Sequence, residues 1–163
     1  MLASLAGALV LVSVASGGGG RLVRARGVEL SVPAGWTRVV AAPDAPVIDP
    51  LTLLVVGTTG VRAKSSQCQI AAYRVPPTGA VVVVVGWKTA TSGGGRMKPG
   101  RWPLNALTVV RRPSFECFSG RGAAASLALG GKAYQVNVMV GNAASAKRIA
   151  EALTVGRSFR LAP

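Results

Sequence analysis

Two alternating segments joined by a pair of glycines constrain the fold of this 163-residue chain more than any other feature. The apolar positions of the first segment are Ala123, Ala125, Leu127 and Leu129, and those of the second are Tyr134, Val136, Val138 and Val140. A period of two places such side chains on one face of a strand, and Gly130-Gly131 between them is typical of a tight turn. The pattern predicts an antiparallel hairpin with one buried face.

The segment that follows the hairpin predicts a helix beginning after Gly141 and ending at Gly156, its predicted C-terminal cap. Its predicted apolar face consists of Ala146, Ile149, Ala150 and Leu153. Residues 157–161 predict a last short strand, with Phe159 and Leu161 facing inward.

The earlier part of the chain predicts several more strands. Val28, Leu30 and Val32 alternate on one face, whereas residues 51–56 and 81–85 are continuous apolar runs typical of strands buried on both faces. Shorter strands are predicted over residues 36–40, 67–73, 107–110 and 115–118, a turn over residues 76–79, and loops over residues 42–50 and 89–103. Many strands followed by one helix predict the α+β class, an antiparallel β-sheet with the C-terminal helix packed on one face.

The first fifteen residues are apolar and uncharged, which is typical of an export signal with a small-residue cleavage site at Ser13-Val14-Ala15. No Lys or Arg precedes Arg21, so the usual basic start is missing. We predict a signal peptide over residues 1–15, a glycine-rich linker and basic arm over residues 16–26, and a single α+β domain over residues 27–163. The alternative is that the apolar run forms a first strand or helix of the core.

The chain has two cysteines, Cys68 and Cys117. In an exported protein an even count favours a disulfide. The alternative, two free buried thiols in a cytosolic protein, depends on the opposite interpretation of the first fifteen residues.

The charge is strongly positive: 19 Lys and Arg face five Asp and Glu, for a net charge of +14. Such a domain is attracted to polyanions, and export directs the prediction towards an anionic envelope polymer or lipid. Nucleic acid is the less favoured partner because few aromatic residues accompany the basic ones. Scattered basic residues also serve solubility alone, and an accessory subunit without a ligand of its own is a further alternative.

The absence of histidine excludes a Ser-His-Asp triad, a Cys-His pair and a zinc site with imidazole ligands. No nucleophile or phosphate-binding motif occurs, and two cysteines cannot complete a four-thiolate metal site. A carboxylate pair drawn from Glu29, Asp44, Asp49 and Glu116 is the remaining catalytic route, although Asp in loops favours turns and Glu29 is predicted to face solvent. We therefore predict no enzyme activity, no cofactor and no metal.

The loop over residues 93–103 is the best candidate binding surface. Its candidate anion-binding residues are Arg96, Lys98, Arg101 and Trp102, with Lys88 just before the loop and beside Trp87. Arginine next to tryptophan can bind anions and stack on flat groups. A solvated basic loop without a ligand is the alternative.

Several segments resemble a group of exported proteins of high-GC Gram-positive bacteria. These segments are residues 131–141, Ala144-Ser145, Arg148, Ala152-Leu153, Ser158-Phe159, the Cys68 segment, residues 76–80, Pro103 and Glu116-Cys117. The opening at residues 27–36, Gly-Val-Glu-Leu-Ser-Val-Pro-Ala-Gly-Trp, is similar to that of PsbP-like domains. The resemblance implies a PsbP-like sandwich around an antiparallel sheet and an extracytoplasmic location, and it carries over no functional residue. Trp102 stands where the group commonly has an arginine.

Overall fold

Strands make up about half of the described residues. The computed structural model describes residues 20–42, 49–66, 68–89, 110–111, 118 and 120–163. Within those ranges the strands are β1 (Arg21–Ala25), β2 (Val28–Val32), β3 (Trp36–Arg38), β4 (Leu51–Thr58), β5 (Arg62–Ala63), β6 (Tyr73–Arg74), β7 (Ala80–Trp87), β8 (Val110–Arg111), β9 (Arg121–Leu129), β10 (Lys132–Val140) and β11 (Arg160–Leu161). The helix is α1 (Ala146–Arg157).

A six-stranded antiparallel sheet in the order β3-β4-β7-β10-β9-β8 forms the centre of the fold. The predicted hairpin is confirmed: β9 and β10 pair throughout, and Gly130 and Gly131 turn the chain at φ 56° and 73°, in the left-handed region that glycine enters without a steric cost. The buried strands predicted over residues 51–56 and 81–85 are β4 and β7.

Both faces of the central sheet are covered, which explains the continuous valine run of β7. Val82 and Val84 point to a core shared with α1 and with a three-stranded sheet of order β1-β2-β11. Val81, Val83 and Val85 point to a second core, closed by the β5–β6 hairpin and the segments beside it. The α+β class with the C-terminal helix on one sheet face is as predicted.

Two predictions near the start of the domain need correction. Residues 21–25, predicted as part of a basic arm, form β1, because pairing with β2 satisfies their backbone and buries Val23. The prediction that Glu29 faces solvent is wrong: the residue is only 3% exposed and lies between Arg24 and Arg160, which neutralise its charge. This charged residue is tolerated at a buried position because β1 and β11 flank β2 and place Arg24 and Arg160 directly opposite Glu29.

The predicted apolar face and the predicted C-terminal cap of the helix also need correction. Of the predicted apolar face, Ile149 and Leu153 are half-buried and pack against the first core, whereas Ala146 and Ala150 are exposed. The fully buried helical residues are Ala152, Val155 and Gly156. Gly156 lies within the last turn, and Ser158 is the C-terminal cap.

Phe159 and Leu161 were both predicted to face inward from the last strand. Phe159 is buried, as predicted, but Leu161 is 39% exposed. The strand predicted around Cys68 is absent from the described residues 68–72, which form turns before β6.

The predicted signal peptide, residues 16–19 of the linker and Cys117 lie outside the described residues. So do the loop over residues 93–103 and the carboxylates Asp44 and Glu116. Among the helical residues that the structure describes, no segment is both long enough and apolar enough to cross a membrane.

Candidate functional site

A pocket opens at the end of the central sheet where β4 begins, β7 ends and β10 begins. Antiparallel pairing brings these three strand ends together: Gly86 pairs with Leu51 on one side and with Tyr134 on the other. The turn between β1 and β2 contributes Arg26 from the three-stranded β1-β2-β11 sheet, called the covering sheet below. The pocket, called the cationic pocket below, has a volume of about 200 Å³. Its lining residues are Arg26, Asp49, Leu51, Leu53, Gly86, Trp87, Lys88, Lys132 and Tyr134.

Gly86 makes room at the floor of the cationic pocket. A Cβ at this position would lie 2.6 Å from Leu53 Cδ1 and 3.4 Å from Tyr134 Cδ1. Leu53 falls at an irregularity of the β4–β7 register, between Thr52 and Leu54, and packs against the first core. A side chain in place of Gly86 would therefore displace Leu53 and fill part of the pocket.

Three cationic side chains line the cationic pocket. Arg26, Lys88 and Lys132 come from three separate parts of the chain, and all three residues are exposed. The only carboxylate in the described lining is that of Asp49, whose Oδ1 accepts a hydrogen bond from the Lys88 backbone N–H at 3.2 Å. Three cations against one carboxylate leave a formal charge of +2, which favours an anionic ligand.

Arg26 is held in an unusual backbone conformation. Its φ of 48° lies in the left-handed region, followed by Gly27 at 77°, so the two residues form the turn between β1 and β2. Such turns favour Asn, Asp and Gly, and an arginine there carries a steric cost of about 1 kcal/mol. The Arg26 Nη1 donates a hydrogen bond of 2.8 Å to the backbone carbonyl of Thr52, which fixes the side chain between the covering sheet and β4.

Tyr134 separates the cationic pocket from the core. Tyr134 is 7% exposed. The centroid of its ring lies 5.6 Å from that of the Phe159 ring, and the two ring planes are inclined by 49°. Burial raises the pKa of the Tyr134 hydroxyl, so the phenol remains neutral at physiological pH and can donate a hydrogen bond.

A second pocket, called the edge pocket below, lies beside the cationic pocket along β4. It has a volume of about 300 Å³ and is lined by Arg26, Arg38, Val39, Val40, Ala41, Thr52, Leu53, Leu54 and Val55. β3 ends at Arg38, and the Val39 N–H donates to the Val55 carbonyl at 2.9 Å. Arg26 and Leu53 line both pockets.

Of the anion-binding residues predicted from the sequence, Lys88 lies in the cationic pocket. The other four, Arg96, Lys98, Arg101 and Trp102, fall outside the described residues, so the structure does not relate them to Lys88.

Sequence reasoning missed Arg26 and Lys132. Each is next to a hairpin glycine, Arg26 before Gly27 and Lys132 after Gly131, which is a weak signal for a cation at a strand end. Arg26 and Lys132 become neighbours only through the order of the strands in the sheets. The alternation of apolar and polar residues within a strand does not determine that order.

The carboxylates do not assemble a catalytic pair among the described residues. Glu29 lies in the three-stranded sheet, where Arg24 Nε donates to its Oε2 at 2.6 Å and Arg160 Nε donates to its Oε1. The hydrogen bond from Arg24 and that from Arg160 hold the pKa of Glu29 below its ordinary value against the opposing effect of burial. Asp49 lies in the cationic pocket instead, and the described residues contain no group of three His, Cys, Asp or Glu that could hold a metal ion.

Comparison with family models, curated proteins and solved structures finds no match for the chain. The geometry and charge of the two pockets are therefore the basis for a functional proposal.

Proposed function

We propose that this chain is an exported, non-catalytic α+β domain that binds an anionic polymer of the cell envelope through the cationic pocket. The observation that carries the proposal is the convergence of Arg26, Lys88 and Lys132 around one pocket beside Trp87. The pocket volume of about 200 Å³ is below the roughly 300–1,000 Å³ typical of sites that enclose a whole small molecule. An open, small and cationic site suits one charged unit of a longer chain.

Trp87 adds a flat apolar surface to the charges. It is half-buried at the end of β7, packs against the second core and also lines the cationic pocket. An aromatic ring beside cations suits a ligand that has both an anionic group and an apolar carbon face. Sugar and polyol phosphates or acidic sugars have that combination.

Two predictions from the sequence support an envelope location for this binding: the signal peptide over residues 1–15 and the disulfide between Cys68 and Cys117. The net charge of +14 favours a polyanionic partner at that location. We also propose that the fold is a PsbP-like sandwich. This proposal is supported by the opening at residues 27–36 and by a central antiparallel sheet covered on both faces.

The test is salt-dependent retention of the folded domain on immobilised poly(glycerol phosphate) and on vesicles containing anionic lipid. Lys88→Gln and Lys132→Gln together remove two pocket charges. At about 1 kcal/mol for each lysine near an anionic surface, the double variant should bind roughly 25-fold more weakly. Retention on the polymer with release by salt is the expected result for the unaltered domain.

The matched control removes two charges elsewhere. Arg62 and Lys147 are exposed, on β5 and on α1, and neither lines the cationic pocket. The variant Arg62→Gln with Lys147→Gln has the same net charge as the pocket variant and should keep most of the retention. Equal losses in the two variants would show diffuse attraction without a site, and no retention of the unaltered domain at low salt would remove the proposed function.

A further inference from the structure

The cationic pocket and the edge pocket share a wall. Arg26 and Leu53 line both, and both pockets follow β4, the first beside Leu51 and the second as far as Val55. Four residue steps along a strand at about 3.3 Å each correspond to a length of roughly 13 Å. The two pockets therefore adjoin at Arg26 and Leu53.

The edge pocket is also cationic. Arg38 and Arg26 are its charged lining residues, and its described lining contains no carboxylate. The exposed Arg38 stands next to Val40, which is 82% exposed, so cationic and apolar surfaces alternate here as they do around Trp87. Each pocket thus offers a place for an anionic group and an apolar surface beside it.

The position of Arg26 links the two pockets. Its hydrogen bond to the Thr52 carbonyl holds the guanidinium over β4 at the boundary between them. A guanidinium has five N–H donors, and this hydrogen bond uses one, so donors remain for anionic groups on either side. The strained φ of 48° at a residue with this placement is typical of functional positions.

We infer that the two pockets form a single two-part groove for a linear phosphodiester polymer, with one phosphate bound near Lys88 and Lys132 and another near Arg38. This inference rests on the proposed function and adds the class of ligand and the number of its subsites. A single phosphate cannot reach both ends of a groove of roughly 13 Å, whereas two phosphates of one chain can. Linking two contacts in this way raises affinity without any new type of contact.

A polymer without bases fits this groove better than a nucleic acid. Single-stranded nucleic acids bind on a row of exposed aromatic side chains. The described lining of the two pockets has two aromatic residues, and one of them, Tyr134, is buried against Phe159. Trp87 is left as a single half-exposed ring, which suits one polyol or sugar unit.

The experiment is an NMR titration of the folded domain with glycerol phosphate and with a four-repeat oligo(glycerol phosphate), which is longer than the groove. NMR measures millimolar and micromolar affinities in the same way and reports which amides shift. The monomer should shift amides near Lys132, and the oligomer should also shift those of Val39 and Val40 and bind at least about tenfold more tightly.

Variants of one exposed residue at each end separate the two subsites. Arg38→Gln should leave the affinity for the monomer within about twofold and lower that for the oligomer about fivefold, which is the loss of one cation contact. Lys132→Gln should weaken both ligands, and Arg62→Gln, which removes a charge outside the groove, should weaken neither.

The outcomes distinguish this inference from the function on which it rests. If Arg38→Gln leaves the oligomer affinity unchanged, the groove has one subsite and the inference is wrong, while the proposed function stands. Failure of the unaltered domain to bind either ligand removes both. An oligothymidylate of equal charge that binds more tightly than the oligo(glycerol phosphate) would replace the envelope polymer with nucleic acid as the ligand.

Discussion

The guanidinium of Arg26 donates a hydrogen bond of 2.8 Å to the backbone carbonyl of Thr52, 26 positions further along the chain. The bond connects the turn between β1 and β2 to the first half of β4, which lines both pockets. The donor, Arg26, has a φ of 48°, a backbone conformation that favours Asn, Asp or Gly over arginine. Side-chain placement and backbone preference therefore conflict at this position, and such conflicts concentrate at functional sites.

Arg26→Asn tests that conflict. Asparagine followed by Gly27 is the preferred sequence of this turn, so the variant gains about 1 kcal/mol from the backbone. It loses the hydrogen bond to Thr52, which contributes about 1 kcal/mol. We expect the free energy of unfolding, measured by chemical denaturation, to change by less than about 1 kcal/mol. Retention on poly(glycerol phosphate) should fall about fivefold, the effect of one lost cation contact.

Arg26→Lys is the control for this prediction. It keeps the charge and the unfavourable φ but removes the planar group that can bond Thr52 and a phosphate together. Retention should stay closer to that of the unaltered domain, with a small loss of stability. Unchanged retention in the asparagine variant would contradict a role for Arg26 in binding.

Glu29 gives the domain a stability that is sensitive to acid. Its pKa is lowered, first by the hydrogen bond from Arg24 and then by that from Arg160, while burial opposes them. A group with a lowered folded-state pKa stabilises the fold above its ordinary pKa, near 4.5 here, and this contribution is lost as the pH falls through the folded-state value. Glu29→Gln should therefore be less stable than the unaltered domain at neutral pH, with a difference that shrinks below pH 4.5.

Denaturant unfolding between neutral and acidic pH measures this difference. Arg24→Ala serves as a companion variant, because it removes the largest cause of the lowered pKa and leaves Arg160 in place. Its loss of stability should likewise diminish in acid. The contrary result is that the free energies of unfolding of Glu29→Gln and the unaltered domain differ by the same amount at every pH in this range. That result would show that Glu29 stabilises the fold through the shape of its side chain and not through its charge.

The sequence predicted the parts of the fold that follow from local periodicity. The β9–β10 hairpin, the buried strands β4 and β7, and the presence of a C-terminal helix all follow from spacing and turn residues. Strand β1 was not predicted, because residues 21–25 are rich in arginine and only one of their side chains, that of Val23, is buried. They therefore lack the alternation of apolar residues that indicates a strand. The burial of Glu29 depends on Arg160, which is 131 residues away, and no local pattern reports such a contact.

The candidate site was predicted only in part for the same reason. Lys88 could be singled out because it adjoins Trp87 and a glycine-rich segment. Its neighbours in the cationic pocket, Arg26 and Lys132, join it through the pairing of β10 with β7 and the placement of the covering sheet. Both relationships are set by tertiary packing between elements distant in the chain.

Ser158 links the end of α1 to the covering sheet. Its Oγ accepts a hydrogen bond of 2.8 Å from the Ser31 backbone N–H and lies 2.6 Å from the Val155 carbonyl. Ser158→Ala leaves the Ser31 N–H without this partner, and the expected loss is about 1–3 kcal/mol in the free energy of unfolding. Ser126→Ala is the matched control: Ser126 accepts a hydrogen bond from Gln135 at the exposed surface, so its loss should stay within about 0.5 kcal/mol. Similar losses in the two variants would contradict a structural role for Ser158.

The proposed export and the proposed disulfide are tested together by the intact mass of the protein from its native host under non-reducing conditions. Cleavage after Ala15 should remove the first fifteen residues, and a bond between Cys68 and Cys117 should lower the mass by two hydrogen atoms. In the chain-entropy model, a bond that closes a loop of about 50 residues stabilises the fold by roughly 4 kcal/mol. Cys68→Ser with Cys117→Ser should therefore unfold at a markedly lower denaturant concentration than the oxidised protein. An uncleaved protein with two reactive thiols would contradict export, and the net charge of +14 would then favour an intracellular polyanion such as nucleic acid.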